Sequence, residues 1–157
     1  MSATRAYLDF NASAPLTERA RAAVLDALSM PGNPSSVHTE GREARRILEQ
    51  ARTHVARLVG ARAEDVVFTS GATEAAAMLL TPYWTMGRAP LGFSKLYVSA
   101  ADHPCFLKGG RFSCNQIKII PVQSDGLIDL GALNSLLAGH DRDAGLPLVA
   151  VHAVNNE

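Results

Sequence analysis

Cysteine, lysine and any bias of charge are scarce in this chain of 157 residues. The two cysteines, Cys105 and Cys114, form no C-x-x-C pair. That speaks against a disulfide framework and fits a reducing cytoplasm. Lysine occurs only at 95, 108 and 118, and surface placement is the default for each. Lys plus Arg and Asp plus Glu number 15 each, so the net charge is zero. Nothing in that balance supports a nucleic-acid or polyanion partner. The arginines concentrate in residues 42–57, interleaved with Glu43 and Glu49 at helical spacing, as on a solvated helix face. No apolar run is long enough to span a membrane, and none resembles a signal peptide. Internal repeats and low-complexity segments are absent. His38, His54 and His140 share no metal-ligand spacing with one another or with the cysteines, so no metal site is expected.

The most informative stretch runs from Val66 to Glu74. Val66, Val67 and Phe68 form a short apolar run of β-formers, expected as a buried strand. Gly71 supplies a tight turn. Thr73 and Glu74 open an alanine-rich helix over 75–80. A helix N-terminus just past a strand offers unpaired N–H groups and a positive dipole end, and both attract phosphate. Ser70 and Thr73 add hydroxyl donors.

Elsewhere the pattern alternates. Residues 7–10 read as a short extended piece before a turn ending in Pro15. Thr17 caps a helix over 18–28 whose apolar face carries Ala20, Val24, Leu25 and Leu28. Residues 31–36 are a breaker and loop. A long amphipathic helix over 38–59 follows, with a stripe of Ile47, Leu48, Ala51, Val55, Leu58 and Val59, and Gly60 as its stop. Residues 82–92 read as a loop or short lid. Strands are expected at 95–99, 116–122 and 146–154. Pro104 opens a short helix, and Asp129 caps another over 130–137. Strands alternating with helices predict an α/β fold with a mainly parallel sheet. In such sheets ligands gather beyond the carboxyl ends of the strands. Thr73, His103 and Asn156 each fall just past a predicted strand, so one phosphate-type turn, one imidazole and one carboxamide are expected to converge.

Six segments carry a resemblance in order: Tyr7-Leu8-Asp9-Phe10-Asn11-Ala12-Ser13-Ala14-Pro15; Gly32-Asn33-Pro34-Ser35-Ser36-Val37-His38 with Gly41-Arg42; Val67-Phe68-Thr69-Ser70-Gly71-Ala72-Thr73-Glu74; Asp102-His103; Asp125-Gly126-Leu127-Ile128-Asp129; and Val154-Asn155-Asn156-Glu157. Each alone is ordinary. Together they resemble the cysteine desulfurases of the NifS/IscS type, within the class V aminotransferase group of pyridoxal-phosphate (PLP) enzymes. The resemblance implies fold type I, with residues 1–15 an N-terminal extended segment and 16–157 the N-terminal part of the large PLP-binding domain. It implies that Ala72 and Thr73 cradle the PLP phosphate. His103 then stacks on the pyridine ring and takes part in proton transfer, as the one catalytic candidate. Asn156 contacts the phenolic oxygen, and residues 33–36 support the entrance. The implied reaction turns L-cysteine into L-alanine and an enzyme persulfide, feeding iron–sulfur clusters or thiolated cofactors through a sulfur-acceptor or scaffold protein. A cytoplasmic homodimer is the expected setting.

Three family features are missing from these 157 residues: the lysine in a Ser-x-His-Lys context, the aspartate in an Asp-x-x-Gln context, and the mobile-loop cysteine. Cys105 and Cys114 lie outside the region of that last thiol and read as structural, small buried groups. The expectation is an N-terminal fragment, inactive alone, whose last strand leaves an unpaired edge and exposed apolar surface. Other readings are a different class V enzyme, such as a selenocysteine lyase, and a non-catalytic fragment that binds a desulfurase subunit. Asp102 stands where relatives often have Glu. His152 is one place out of register with a histidine of some relatives, and is expected to have no catalytic role.

Overall fold

A computed structural model describes residues 6–154. They form two compact units that divide between Phe68 and Thr69.

The first unit is helical. Tyr7 closes the N-terminal turn by donating its hydroxyl to the carbonyls of Asp9 and Ser13, at 2.7 and 2.8 Å. Helix α1 spans Glu18–Ser29, and the Thr17 hydroxyl accepts from the Ala20 N–H. Its expected apolar face is solvent-exposed: Val24, Leu25 and Leu28 are not buried. Helix α2 spans Thr39–Val59 and ends at Gly60 with φ +68°, the left-handed stop that glycine adopts without strain. The loop before α2 packs closely. A Cβ on Gly41 would lie 2.4 Å from the Ser36 carbonyl oxygen, so only glycine fits there.

Two features of this unit depart from the sequence pattern. Only the upper part of the α2 stripe is covered: Ile47 and Leu48 are partly buried, whereas Val55, Leu58 and Val59 are exposed. Residues 66–68, expected as a buried strand, run without strand pairing among the described residues, and Val67 and Phe68 are exposed. The reason is physical. A strand needs a neighbour for its backbone groups, and here the Val66 groups bond to the Ala63 carbonyl and to an α2 side chain. The Arg52 guanidinium donates to the Val66 carbonyl at 3.1 Å and lies over the Phe68 ring.

The second unit is α/β. Helix α3 (Ala72–Leu79) leads into strand β1 (Tyr83–Met86), which turns through Gly87 and Arg88 into the long strand β2 (Ala89–Ser99). The expected loop at 82–92 is therefore a β-hairpin. Gly87, at φ +65°, starts a two-residue turn of the kind that suits strand twist. Helix α4 (Pro104–Leu107), strand β3 (Ile117–Ile120), helix α5 (Leu130–Ala138) and strand β4 (Leu146–Ala150) follow. The final strand is shorter than the expected 146–154.

Strand β2 is the spine. Its first part pairs antiparallel with β1; its second part pairs in parallel with β3 and with β4. Leu96 and Val98 are fully buried against Ala76 and Leu80 of the α3 segment and Phe112, with Phe106 and Leu107 of α4 packed alongside. Strand β4 has one partner strand among the described residues, β2. Leu146 and Val149 on it remain exposed.

Candidate active site

Ala76 of α3 and Phe106 and Leu107 of α4 pack into one cluster with Leu96 and Val98 of β2. The far ends of the two helices meet where the Arg111 N–H donates to the Leu80 carbonyl at 2.8 Å. Gly110, at φ +57°, passes so near that a Cβ would lie 2.4 Å from the Leu80 oxygen.

At the N-terminus of α3 stands Gly71, with no side-chain cap. The first-turn N–H groups of Ala72, Thr73 and Glu74 precede the first intrahelical bond, from Ala75 to the Gly71 carbonyl. Thr73 is exposed, and a Cβ on Gly71 would meet nothing within 4 Å, so a ligand has room beside the backbone. Glu74 is the one acidic group of that turn. Its carboxylate folds back to accept the Ser70 N–H at 2.6 Å, and that hydrogen bond holds its pKa below the usual carboxylate value. An uncapped, open helix start with adjoining hydroxyls suits a phosphate.

His103 caps the N-terminus of α4. It follows Ser99, the last residue of β2, by four positions and is exposed. Its Nδ1 accepts the Cys105 N–H at 3.2 Å and faces the Cys105 Sγ at 3.1 Å. Nδ1 is thereby the acceptor nitrogen, and the ring proton sits on Nε2 in the neutral form. Cys105 itself packs against the apolar core, as expected of a structural thiol. Cys114 does not: it is exposed, because it opens the surface turn that precedes β3.

Asp102 has a role that residue spacing does not announce. Its side chain is 1% exposed. Oδ2 accepts the Ser99 N–H at 2.8 Å, while Oδ1 accepts both the backbone N–H and Nδ1–H of His152, at 3.0 and 2.7 Å. This ties the carboxyl end of β2 to the segment after β4. The His152 ring also lies against Phe106, with centroids 4.0 Å apart. His152 falls inside the strand expected over 146–154, so no pattern in the sequence set it apart for this pairing.

Of the expected trio, Thr73 and His103 both belong to the second unit. Thr73 follows the unpaired 66–68 segment and not a sheet strand. Asn156 lies outside the described residues. A separate cleft of about 370 Å³ includes Ser94, Tyr97 and His140. There His140 donates from Nε2 to the Gly145 carbonyl at 2.9 Å and accepts the Tyr97 hydroxyl on Nδ1 at 2.9 Å, a tie between β2 and the loop before β4. Burial pushes the Tyr97 phenol up. Among the described residues no group of three or more His, Cys, Asp or Glu side chains is placed to hold a metal ion, and no helix is long and apolar enough to cross a membrane.

The second unit is an α/β unit with an open helix N-terminus and a histidine beyond its central strand. The chain matches the aminotransferase class-V family over residues 6–157, and it belongs to that family. It is 38% identical to a cysteine desulfurase of Frankia sp., covering 96% of this chain and 37% of that protein. It is 33% identical to an IscS-like cysteine desulfurase of Mycobacterium tuberculosis, covering 97% and 39%. Among solved structures it resembles a NifS-like protein from Rickettsia africae at a TM-score of 0.79 and 29% identity, covering 96% of this chain and 40% of that one. The chain thus spans under two-fifths of the length of these curated relatives.

Proposed function

We propose that this chain supplies the cofactor-phosphate and ring-stacking half of a PLP-dependent cysteine desulfurase. The observation that carries the reading is the uncapped start of α3 at Gly71-Ala72-Thr73, on a helix whose Ala76 packs in one cluster with Phe106 and Leu107 of the helix that His103 caps. In this reading the Ala72 and Thr73 N–H groups and the Thr73 hydroxyl hold the phosphate. His103 covers one face of the pyridine ring, and its Nε2–H stands ready to give up or receive a proton. Asn156 contacts the phenolic oxygen, as the family resemblance implies. When bound, PLP supplies the electron sink that makes cleavage of the cysteine carbon–sulfur bond accessible. These 157 residues hold no lysine in the anchoring context, so alone they are expected to release no alanine from cysteine. The substrate is L-cysteine, and the setting is a homodimer that passes sulfur to an acceptor protein in the cytoplasm.

Titrating the chain with PLP tests this reading. Saturable binding is expected, weakened about tenfold by Thr73→Ala, the loss of one hydrogen bond to a charged group. Alanine is a better helix former than threonine, so the variant keeps α3. Affinity that is unchanged in Thr73→Ala, or the absence of saturation, would overturn the reading.

A further inference from the structure

We propose that His152 is a positioning residue: by donating to Asp102 it fixes the Asp102–His103 turn, and so the orientation of the His103 ring. This rests on the reading of His103 given above.

The argument starts from burial. Asp102 is a charged side chain 1% exposed, at a place where water cannot solvate its oxygens. Its carboxylate needs protein donors instead. One comes from its own turn, the Ser99 N–H; the other two come from a residue 50 positions later, the N–H and Nδ1–H of His152. The His152 ring then rests on Phe106. Phe106 returns the chain of contacts to its start, because its N–H donates to the His103 carbonyl at 2.8 Å. Asp102, His152, Phe106 and His103 thus close a loop of direct contacts around one turn.

Local geometry alone holds His103 less firmly. Its ring is exposed, and its own hydrogen bonds go to Cys105, two residues away in a four-residue helix. A helix that short has little stability of its own. Core packing of Cys105, Phe106 and Leu107 anchors the helix after His103, and the long-range hydrogen bonds at the turn come through Asp102. Removing the His152 donor leaves Oδ1 with the backbone N–H alone among its present partners and lets the turn relax. Asp102 and His103 are adjacent in sequence, so relaxation at one moves the other.

Three variants separate this role from simple core filling. His152→Phe keeps a ring against Phe106 and removes the donor. His152→Asn places an amide N–H near the Nδ1 position. His152→Gln reaches instead toward the Nε2 position. The His103 ring is followed by ¹⁵N and ¹³C NMR of the full chain, alongside affinity for PLP and for inorganic phosphate. His152→Phe and His152→Gln are expected to move the His103 ring signals from the single Nε2–H tautomer toward an averaged mixture. They should weaken PLP about tenfold, the scale of one lost aromatic contact, and leave inorganic phosphate within about twofold. His152→Asn should restore both readouts. If His152→Phe is unfolded, His152→Gln against His152→Asn decides the matter. Wild-type-like His103 signals in a folded Phe or Gln variant would overturn the proposal. So would an Asn variant that behaves like the Phe one. A wild-type chain that binds no PLP overturns the functional reading, and the ring signals still decide this one.

Discussion

The two units of this chain start from the same sequence device, an amphipathic helix, and end differently. In the second unit α3 lays Ala76 against a sheet whose Leu96, Val98 and Ile120 are completely buried. In the first, the stripes on α1 and α2 leave Leu28 at 77% and Leu58 at 85% exposure, and Ala56 is the one buried hydrophobic side chain among the described residues. Periodicity is a property of one segment. Burial needs a second surface, and the second unit supplies one within itself. The candidate site therefore adjoins a sheet with a buried spine, while the loop at 33–36 and α2 have local order without a comparable core.

The sharpest way to break that contrast is to truncate one large side chain in each unit. Leu96→Ala is expected to cost about 2–5 kcal/mol, because it deletes a fully buried side chain from close packing. Leu58→Ala should stay within about 0.5 kcal/mol, the range of exposed positions. Urea unfolding followed by circular dichroism gives both values. Trp84, whose indole donates to the Leu79 carbonyl, reports the second unit separately by fluorescence. A Leu58→Ala cost approaching that of Leu96→Ala would show that the α2 stripe is covered in solution.

Two left-handed glycines sharpen the same contrast at smaller scale. Gly60 and Gly110 have φ of +68° and +57°. Nothing lies within 4 Å of a Cβ built on Gly60, so Gly60→Ala should cost about 1–2 kcal/mol of backbone strain alone. On Gly110 the same Cβ meets the Leu80 carbonyl oxygen at 2.4 Å and the Leu80 Cβ at 2.7 Å. Gly110→Ala should therefore cost at least about 1 kcal/mol more, with overpacking added to strain. Equal costs in thermal melts would mean that the α3–α4 junction yields easily.

What could be read from the sequence divides along the same line. Helix ends were legible because they are local: Thr17, Asp129 and Gly60 act within one turn of their own positions. The parallel spine at 95–99 was legible from its apolar run. Partnership was not. Residues 66–68 have the composition of a strand, yet they pair with no strand among the described residues, and Arg52 takes the Val66 carbonyl. The hairpin through Gly87 hid behind Pro82 and Pro90, although Pro90 can sit where β2 is only an antiparallel ribbon with β1. For the candidate site, motif order singled out Ala72, Thr73 and His103, and the roles proposed for them rest on that order. The Asp102–His152 pair joins two strand ends 50 residues apart, and no spacing rule announces it.

The smallest expected effect compares acids in the two units. Glu43, Glu49 and Asp65 have pKa values below the ordinary range, chiefly through hydrogen bonds from Arg46, Arg52 and Arg62. Glu74 is lowered instead by the Ser70 backbone N–H. All four contribute stability that is present above the pKa of the unfolded chain and lost as pH falls through the lower folded value. Their response to salt should differ. Each arginine pair joins two net charges, which counter-ions screen, least at Glu49 because its partner Arg52 is half-buried, whereas the Ser70 amide is a dipole in direct contact with one carboxylate. Carboxyl ¹³C titrations at low and high ionic strength are expected to move Glu43, Glu49 and Asp65 upward more than Glu74. A Glu74 shift as large as theirs would mean that it answers to distant charges. The carboxylate beside the proposed phosphate site would then not be held by Ser70.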